Sequence, residues 1–313
     1  MATDPPSLDE RFRRAVALID AGDVDALDRL LAADPALAVE RLDAPGTWLT
    51  DKVGSAVESF FARPYLLWFV AEDPIRNGTL PANIAQIAET IIRAARRRDD
   101  AQLREQLDYA LRLVAWSPVA SRCGVAGELV DVLVDAGARP ADGITDDALV
   151  NGNFATAAHL VRRGARLTLA TALCLERWSD ADQIARDATA HDRQVALTLA
   201  AVNGNADALR RLLALGVDVN AFCTDVYTHS TPLHQAVACG SPESVRVLVE
   251  AGATLDVCDR VWSGTPLGWA DYCGRQAPAE KKAAFREIEA YLREQAAAGT
   301  VSTASTEINE STG

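Results

Sequence analysis

Long hydrophobic runs are missing from this sequence of 313 residues. The longest strongly apolar run, Tyr65 to Ala71, has seven residues, where a membrane span needs roughly 20. Met1 to Arg14 carries Asp4, Asp9 and Glu10 where a secretory signal would carry an apolar core. Both absences lead us to expect a cytoplasmic protein with no membrane partner. Positive charge is also short: 31 Lys and Arg stand against 44 Asp and Glu, for a formal net charge of −13. A grip on nucleic-acid phosphates by counterion release would begin against that field, so nucleic acid is excluded as a main partner. Lysine is almost absent, only Lys52, Lys281 and Lys282, a compositional bias that carries no structural argument. Close cysteine pairs are missing: Cys123, Cys174, Cys223, Cys239, Cys258 and Cys273 form no CxxC, which reads as reduced thiols rather than a disulfide framework. No GxSxG, HExxH, GxxxxGK[ST] or helix-opening GxGxxG occurs, so no catalytic residue is assigned and no enzyme is expected.

What is present can bury a core. Hydrophobic residues make up 49% and charged residues 24%, which excludes wholesale disorder. At about 150 residues per domain, the length fits two ordinary domains or one elongated repeat array.

An internal repeat decides between them. Thr231-Pro232-Leu233-His234-Gln235-Ala236-Val237-Ala238-Cys239-Gly240 aligns on Thr265-Pro266-Leu267-Gly268-Trp269-Ala270-Asp271-Tyr272-Cys273-Gly274 at an offset of 34 residues throughout. A second glycine follows the first at a step of 12 in Gly152/Gly164, Gly204/Gly216 and Gly240/Gly252. Thr-Pro opens a first helix, with proline where its missing N–H costs nothing. Small residues such as Ala236 and Ala238 then permit close helix approach, and the first glycine supplies a left-handed cap. The second helix shows a 3.6-residue period, as in Ala208, Leu209, Leu212 and Leu213. Gly216 or Gly252 closes it, and an extended finger follows.

The segments TPLHQAVACGSPESVRVLVEAGATLDVCD and LAAVNGNADALRRLLALGVDVNA resemble ankyrin repeats. The resemblance is strong from Val195 to Ala270 and loose over the rest of Leu8 to Arg293. It implies an all-α solenoid of stacked helix-turn-helix units with short extended fingers and irregular N-terminal repeats. We expect about eight units in a single array over residues 8–295, best matched at 195–295 and divergent at 8–194. A disordered tail is expected over 296–313. Earlier units are read at Ala15 to Leu31, at Pro64 to Ala71 with Ala82 to Arg98, at Leu107 to Ala115 with Glu128 to Ala136, at Ala148 to Arg163, and at Leu169 to Glu176 with Asp180 to Ala190. The loop Asp73 to Pro81 breaks the period. The aromatic group Phe60, Phe61, Tyr65, Trp68 and Phe69 is expected to fill a wide junction. Arg96-Arg97-Arg98 complements a helix C-terminus, offset by Asp99-Asp100.

The sharpest candidate for chemistry is Cys223, His229, His234 and Cys239. Two thiolates and two imidazoles could hold zinc, but Cys-x5-His-x4-His-x4-Cys is not a paired ligand pattern, and the ankyrin resemblance implies that His234 hydrogen-bonds backbone at its turn. No metal and no cofactor is therefore assigned. Cys239 and Cys273 occupy the same place in consecutive repeats and read as small inner-face side chains. His159 and His191 have no nucleophile beside them.

In the ankyrin family the fingers and inner helices frame a concave surface that binds other macromolecules. Carried over by position, the partner-binding residues are Phe222, Tyr227, Thr228, Ser230, Ala238 and Cys239 from one junction, and Trp262, Ser263, Asp271, Tyr272 and Cys273 from the next. Gly268 stands where the family places histidine, which leaves that turn without its imidazole. The expected function is a monomeric, non-catalytic scaffold that binds another protein. The alternatives are an enzyme or metal-binding module in the Cys/His-rich C-terminal third, and an acidic inhibitor or antitoxin-like protein steered to a basic partner.

Overall fold

The computed structural model describes residues 6–71, 78–98 and 102–310, with side chains through residue 298. The chain divides into two compact units, residues 1–167 and 168–313. Each is all-α and built of paired helices. Among the described residues there is no strand, only an isolated antiparallel bridge between Arg41 and Tyr65.

The first unit opens with α1 (Leu8–Ala21) and α2 (Val24–Ala33). Ser7 and Glu10 form a reciprocal capping box at the start of α1, which satisfies amide N–H groups that a helix start leaves unpaired. Then comes the irregular stretch: a 3₁₀ turn at Pro35–Ala38, α3 (Thr47–Val53), and two further 3₁₀ segments, Gly54–Glu58 and Leu66–Val70. The helix expected at Pro64 to Ala71 is therefore five residues of 3₁₀ helix. Leu66 to Val70 are all buried, so no solvent face imposes a 3.6-residue period. Around this segment the expected aromatic cluster does fill the junction. Phe61 meets Phe69 edge-on at 5.0 Å, Tyr65 meets Trp68 at 5.4 Å, and Trp68 lies 4.3 Å from Tyr109.

Helices α4 (Ile84–Arg97), α5 (Leu103–Trp116), α6 (Pro118–Arg122), α7 (Ala126–Asp135), α8 (Ile144–Val150) and α9 (Phe154–Arg162) complete the unit. The buried 3₁₀ segment, α5 and α8 stack as one rail, and α2, α4, α7 and α9 as the other. Arg96 and Arg97 occupy the last turn of α4 as expected, and Arg96 also donates to the Ala136 carbonyl at 2.8 Å. Asp99-Asp100 and residues 73–77 of the expected loop lie outside the described residues.

The second unit repeats one plan four times: α10 (Leu169–Cys174) with α11 (Trp178–Asp187), α12 (Ala190–Val202) with α13 (Ala206–Ala214), α14 (Pro232–Cys239) with α15 (Pro242–Glu250), and α16 (Pro266–Gln276) with α17 (Lys282–Glu310). The inner rail is α10, α12, α14 and α16. Its contact positions are small or aliphatic and fully covered, as in Ala196, Leu197, Leu199 and Ala200 of α12. Each buried leucine adds roughly 1.5–3 kcal/mol. The outer rail, α13, α15 and α17, carries ion pairs from one repeat to the next: Arg211 with Asp182, Arg210 with Glu243, and Arg246 with Glu287.

The glycines spaced at 12 residues all have positive φ. Gly240 shows why no other residue fits. Its φ is 76°, it caps α14, and a Cβ there would meet the Phe285 ring at 3.1 Å. Phe285, Ile288 and Leu292 bury the first turns of α17 against this end of the stack. Where a disordered tail is expected over 296–313, the backbone of α17 continues as helix to Glu310, and side chains beyond residue 298 lie outside the described set.

Candidate functional site

Two fingers, residues 215–231 and 252–265, lead from the outer rail back to α14 and α16. The second is organised by Asp259, which is only 3% exposed. Its Oδ1 accepts from the amides of Val261 (2.8 Å) and Trp262 (2.7 Å), and its Oδ2 from the amide of Gly264 (2.8 Å) and the indole of Trp269 (3.0 Å). Burial pushes this carboxyl up. The donors on Trp262, Trp269, Val261 and Gly264 outweigh that and hold it well below the usual carboxylate range. One side chain thus fixes a turn in which Ser263, a non-glycine residue, is held at φ 54°, a conformation that persists only when its surroundings impose it.

The second finger also grips the first. The Arg260 amide donates to the His229 carbonyl at 2.7 Å. Its guanidinium donates to the Thr228 carbonyl at 3.2 Å and lies 4.0 Å above the Phe222 ring. His229 stacks on Trp269 at 6.0 Å and meets Trp262 edge-on at 5.3 Å, with Tyr227 beyond it at 6.3 Å. This aromatic layer covers the finger base and leaves Trp262 68% exposed. Tyr272, near the end of α16, is 61% exposed.

The partner-binding residues expected from sequence divide by burial. Thr228, Ala238, Trp262, Ser263 and Tyr272 are exposed; Phe222, Tyr227, Cys239, Asp271 and Cys273 are half-buried. Ser230 departs from the set because it is fully buried, its hydroxyl accepting from Gln235 Nε2 at 2.7 Å and donating to the Tyr227 carbonyl. Asp271 pairs with Arg275 at 2.9 Å. A hollow of about 440 Å³ lies between the start of α12 and the first finger, lined by His191, Gln194, Val217, Phe222 and Thr224 among others. A larger hollow of about 840 Å³ between α4 and α7 in the first unit offers less: Arg93, Arg96 and Arg97 share it with Glu128, Asp131 and Asp135, so its charges largely offset each other.

The Cys/His group is engaged otherwise. His234 Nδ1 accepts from the Thr231 amide at 3.3 Å and sits 2.8 Å from its hydroxyl, while Nε2 donates to the Gly264 carbonyl at 3.0 Å. Both ring nitrogens thus serve the turn, and the second reaches the next repeat. Burial lowers the imidazole's pKa despite that carbonyl, which keeps it neutral. At the Gly268 turn the Thr265 hydroxyl accepts from the Gly268 amide at 3.2 Å instead. Cys223 is buried. Cys239 packs over Gly204, where a Cβ would stand 2.9 Å from its sulfur. Burial raises the Cys239 thiol, partly offset by Lys281, and burial raises Cys273 as well, so neither is a ready thiolate. Among the described residues no three His, Cys, Asp or Glu side chains gather as metal ligands. His159 pairs with Asp131 and His191 with Asp225, each at 2.8 Å.

Asp259, Arg260 and Trp269 were not among the residues expected from sequence. The available signal was an aspartate five residues before Gly264-Thr265-Pro266, placed to cap its own turn.

Comparison with known proteins fits this geometry. Residues 119–259 match the family described as ankyrin repeats (3 copies), a span that is less than half of the chain but begins well upstream of Val195. The chain is 41% identical over 73 residues to "Potassium channel GORK" of Arabidopsis thaliana, covering 23% of this chain and 8% of that protein. It is 42% identical over 78 residues to "Potassium channel KOR1" of Oryza sativa subsp. japonica, covering 25% and 9%. It is 37% identical over 73 residues to "Cyclin-dependent kinase 4 inhibitor B" of Rattus norvegicus, covering 23% and 54%. The chain therefore spans under a tenth of the two channels and about half of the inhibitor. The fold is the all-α ankyrin-repeat solenoid, a class that generally serves protein–protein interaction. Among the described residues no helix is long and apolar enough to cross a membrane.

Proposed function

We propose that this chain is a non-catalytic protein-binding scaffold, and that its partner docks on the finger face of the second unit. The observation that carries the reading is the cost of presenting Trp262. A part-buried, charge-assisted network around the buried Asp259 carboxylate and an aromatic layer beneath hold a large ring 68% exposed, and such rings dominate interface energetics. Val261 and Tyr272, at 60% and 61% exposure, extend the apolar contact. Thr228, Ala238, Ser263 and the half-buried Phe222, Tyr227, Cys239, Asp271 and Cys273 complete it as complementary surface, whereas Ser230 supports the turn from inside. The reading takes residues 8–295 as one array, places the protein in the cytoplasm as a monomer, and needs no cofactor.

The test is affinity capture from the native host with the wild-type chain beside a Trp262→Ala/Tyr272→Ala variant whose helicity and unfolding midpoint match wild type. A protein retained by wild type and lost from the variant, with direct binding on purified components, is the expected result. Partners retained equally by both would overturn the assignment of this face. Stoichiometric zinc in the purified chain, with catalytic turnover lost on chelation, would overturn the scaffold reading itself.

A further inference from the structure

The distribution of charge in the second unit says what kind of partner its finger face fits. On the outer rail the arginines are consumed by carboxylates of neighbouring repeats, Arg211 by Asp182, Arg210 by Glu243 and Arg246 by Glu287. The arginine charges of that surface are thereby offset. The two fingers differ. Residues 215–231 and 252–265 hold four aspartates, Asp218, Asp225, Asp256 and Asp259, against one basic residue, Arg260. Asp259 is spent on its own turn, and Arg260 is spent on Phe222 and the Thr228 carbonyl. Asp218, Asp225 and Asp256 remain exposed; Asp225 is paired with His191 at 2.8 Å, and Asp256 has no ion pair among the described residues. The second of these fingers also carries Trp262, 68% exposed.

Two fingers that carry exposed carboxylates and an exposed indole match one side chain better than any other. A guanidinium is planar, stacks on an aromatic face, and accepts carboxylates through its N–H fork, whereas an ammonium is a compact, strongly hydrated point charge. The chain itself uses this pairing, with Arg260 over Phe222 at 4.0 Å and Arg211 over Trp178 at 4.5 Å. Trp262, the most exposed large ring of the finger face at 68%, has no guanidinium over it among the described residues. We propose that the finger face takes an extended, arginine-bearing segment of a partner protein, one guanidinium stacking on Trp262 while Asp218, Asp225 and Asp256 supply the counter-charge. This rests on the scaffold reading and adds the chemistry of the partner to it.

The experiment uses the full chain and a fluorescein-labelled Gly-Ser-Arg repeat peptide, with matched peptides carrying lysine or citrulline in place of arginine, read by fluorescence anisotropy at two salt concentrations. Wild type should bind the arginine peptide several-fold more tightly than the lysine peptide and should not bind the citrulline peptide. Trp262→Ala should abolish the preference for arginine over lysine. Asp225→Asn/Asp256→Asn should weaken both peptides about tenfold, equivalent to about 1.4 kcal/mol, and flatten the salt dependence. Asp182→Asn on the outer rail should change nothing. Equal affinity for arginine and lysine in wild type, or the same weakening by Asp182→Asn as by the finger variants, would overturn the proposal. The scaffold reading fails separately: a captured partner that is lost from Trp262→Ala/Tyr272→Ala, but whose cross-linked segment contains no arginine, overturns this inference and leaves the surface assignment standing.

Discussion

Replacing Asp259 with asparagine tests whether one carboxylate builds the second finger. The change is nearly isosteric, so any effect comes from hydrogen bonding and charge. Wild-type Asp259 accepts four bonds of 2.7–3.0 Å through two oxygens. An amide has one oxygen. Whichever way it turns, two N–H donors lose their acceptor and face an NH2 group. A buried donor left without a partner costs about 1–3 kcal/mol. The two surviving bonds also lose their charge assistance. Gly264 is half-buried, so water can reach one of the deprived donors, and we expect a total near 3 kcal/mol at pH 7, towards the lower end of that sum. Urea unfolding followed by tryptophan fluorescence and circular dichroism measures it, with the loss appearing in whichever transition includes the last two repeats, since repeat arrays can open from an end. The pH dependence gives a second arm. The folded-state carboxyl lies below its ordinary value, so its contribution is fully present above the unfolded value of about 3.9 and is lost as pH falls toward the folded value. The gap between wild type and Asp259→Asn should stay constant above pH ~5 and narrow below pH ~4 by up to about 1.4 kcal/mol per pH unit. A gap under about 1 kcal/mol at pH 7 would refute the reasoning, because the surviving bonds alone would then suffice.

Three further outcomes follow from the same geometry. Gly240→Ala should cost more than Gly252→Ala in urea unfolding: both have positive φ, at about 1 kcal/mol for a non-glycine residue, but only at Gly240 does the new Cβ meet the Phe285 ring at 3.1 Å, with nothing within 4 Å at Gly252. His234→Gln should flatten stability against pH below about 6.5, because burial lowers the folded imidazole's pKa and wild type loses stability as pH falls from the unfolded value of about 6.5 toward the folded one; an unchanged profile would contradict the neutral, doubly bonded ring. Under Ellman's reagent at pH 7.5 the exposed Cys258 should react first, with Cys239 and Cys273 slow because burial raises both thiols, and early modification of Cys239 in mass spectra would count against a buried inner face.

The paired helices were legible because their punctuation has few chemical solutions. A left-handed cap is nearly reserved for glycine, so glycines at a step of 12 mark the ends of α12 to α15 in the sequence itself. Thr-Pro located the starts of α14 and α16 in the same way. The irregular stretch was not legible, because a segment buried on every side has no amphipathic period to reveal its geometry, and Leu66–Val70 folded as 3₁₀ helix rather than the expected α-helix. In the site, exposed Trp262 and Tyr272 could be placed by position alone. Ser230 could not: position put it beside the groove, but its hydroxyl turned inward to Gln235. Asp259 was hidden among 44 acidic residues, since its role depends on where three amides and one indole converge, and only the folded turn brings them together.

The two sides of the second unit hold themselves together by different means, and this separates stability from recognition. Ion pairs of the outer rail lie in solvent, where each contributes modestly and is weakened by salt. Their removal should soften the stack without altering the finger face. The finger network is charge-assisted and centred on a buried carboxylate, so salt weakens it less than the outer ion pairs, and it orients the amides of Val261, Trp262 and Gly264. A change at Asp259 should therefore affect both stability and binding, whereas a change at Trp262 should affect binding alone and one at Arg246 stability alone. On the proposed reading the Asp259 turn is where the repeat architecture becomes a recognition surface: the carboxylate that accepts from the amides of Val261, Trp262 and Gly264 also holds the Trp269 indole against which the Trp262 ring packs.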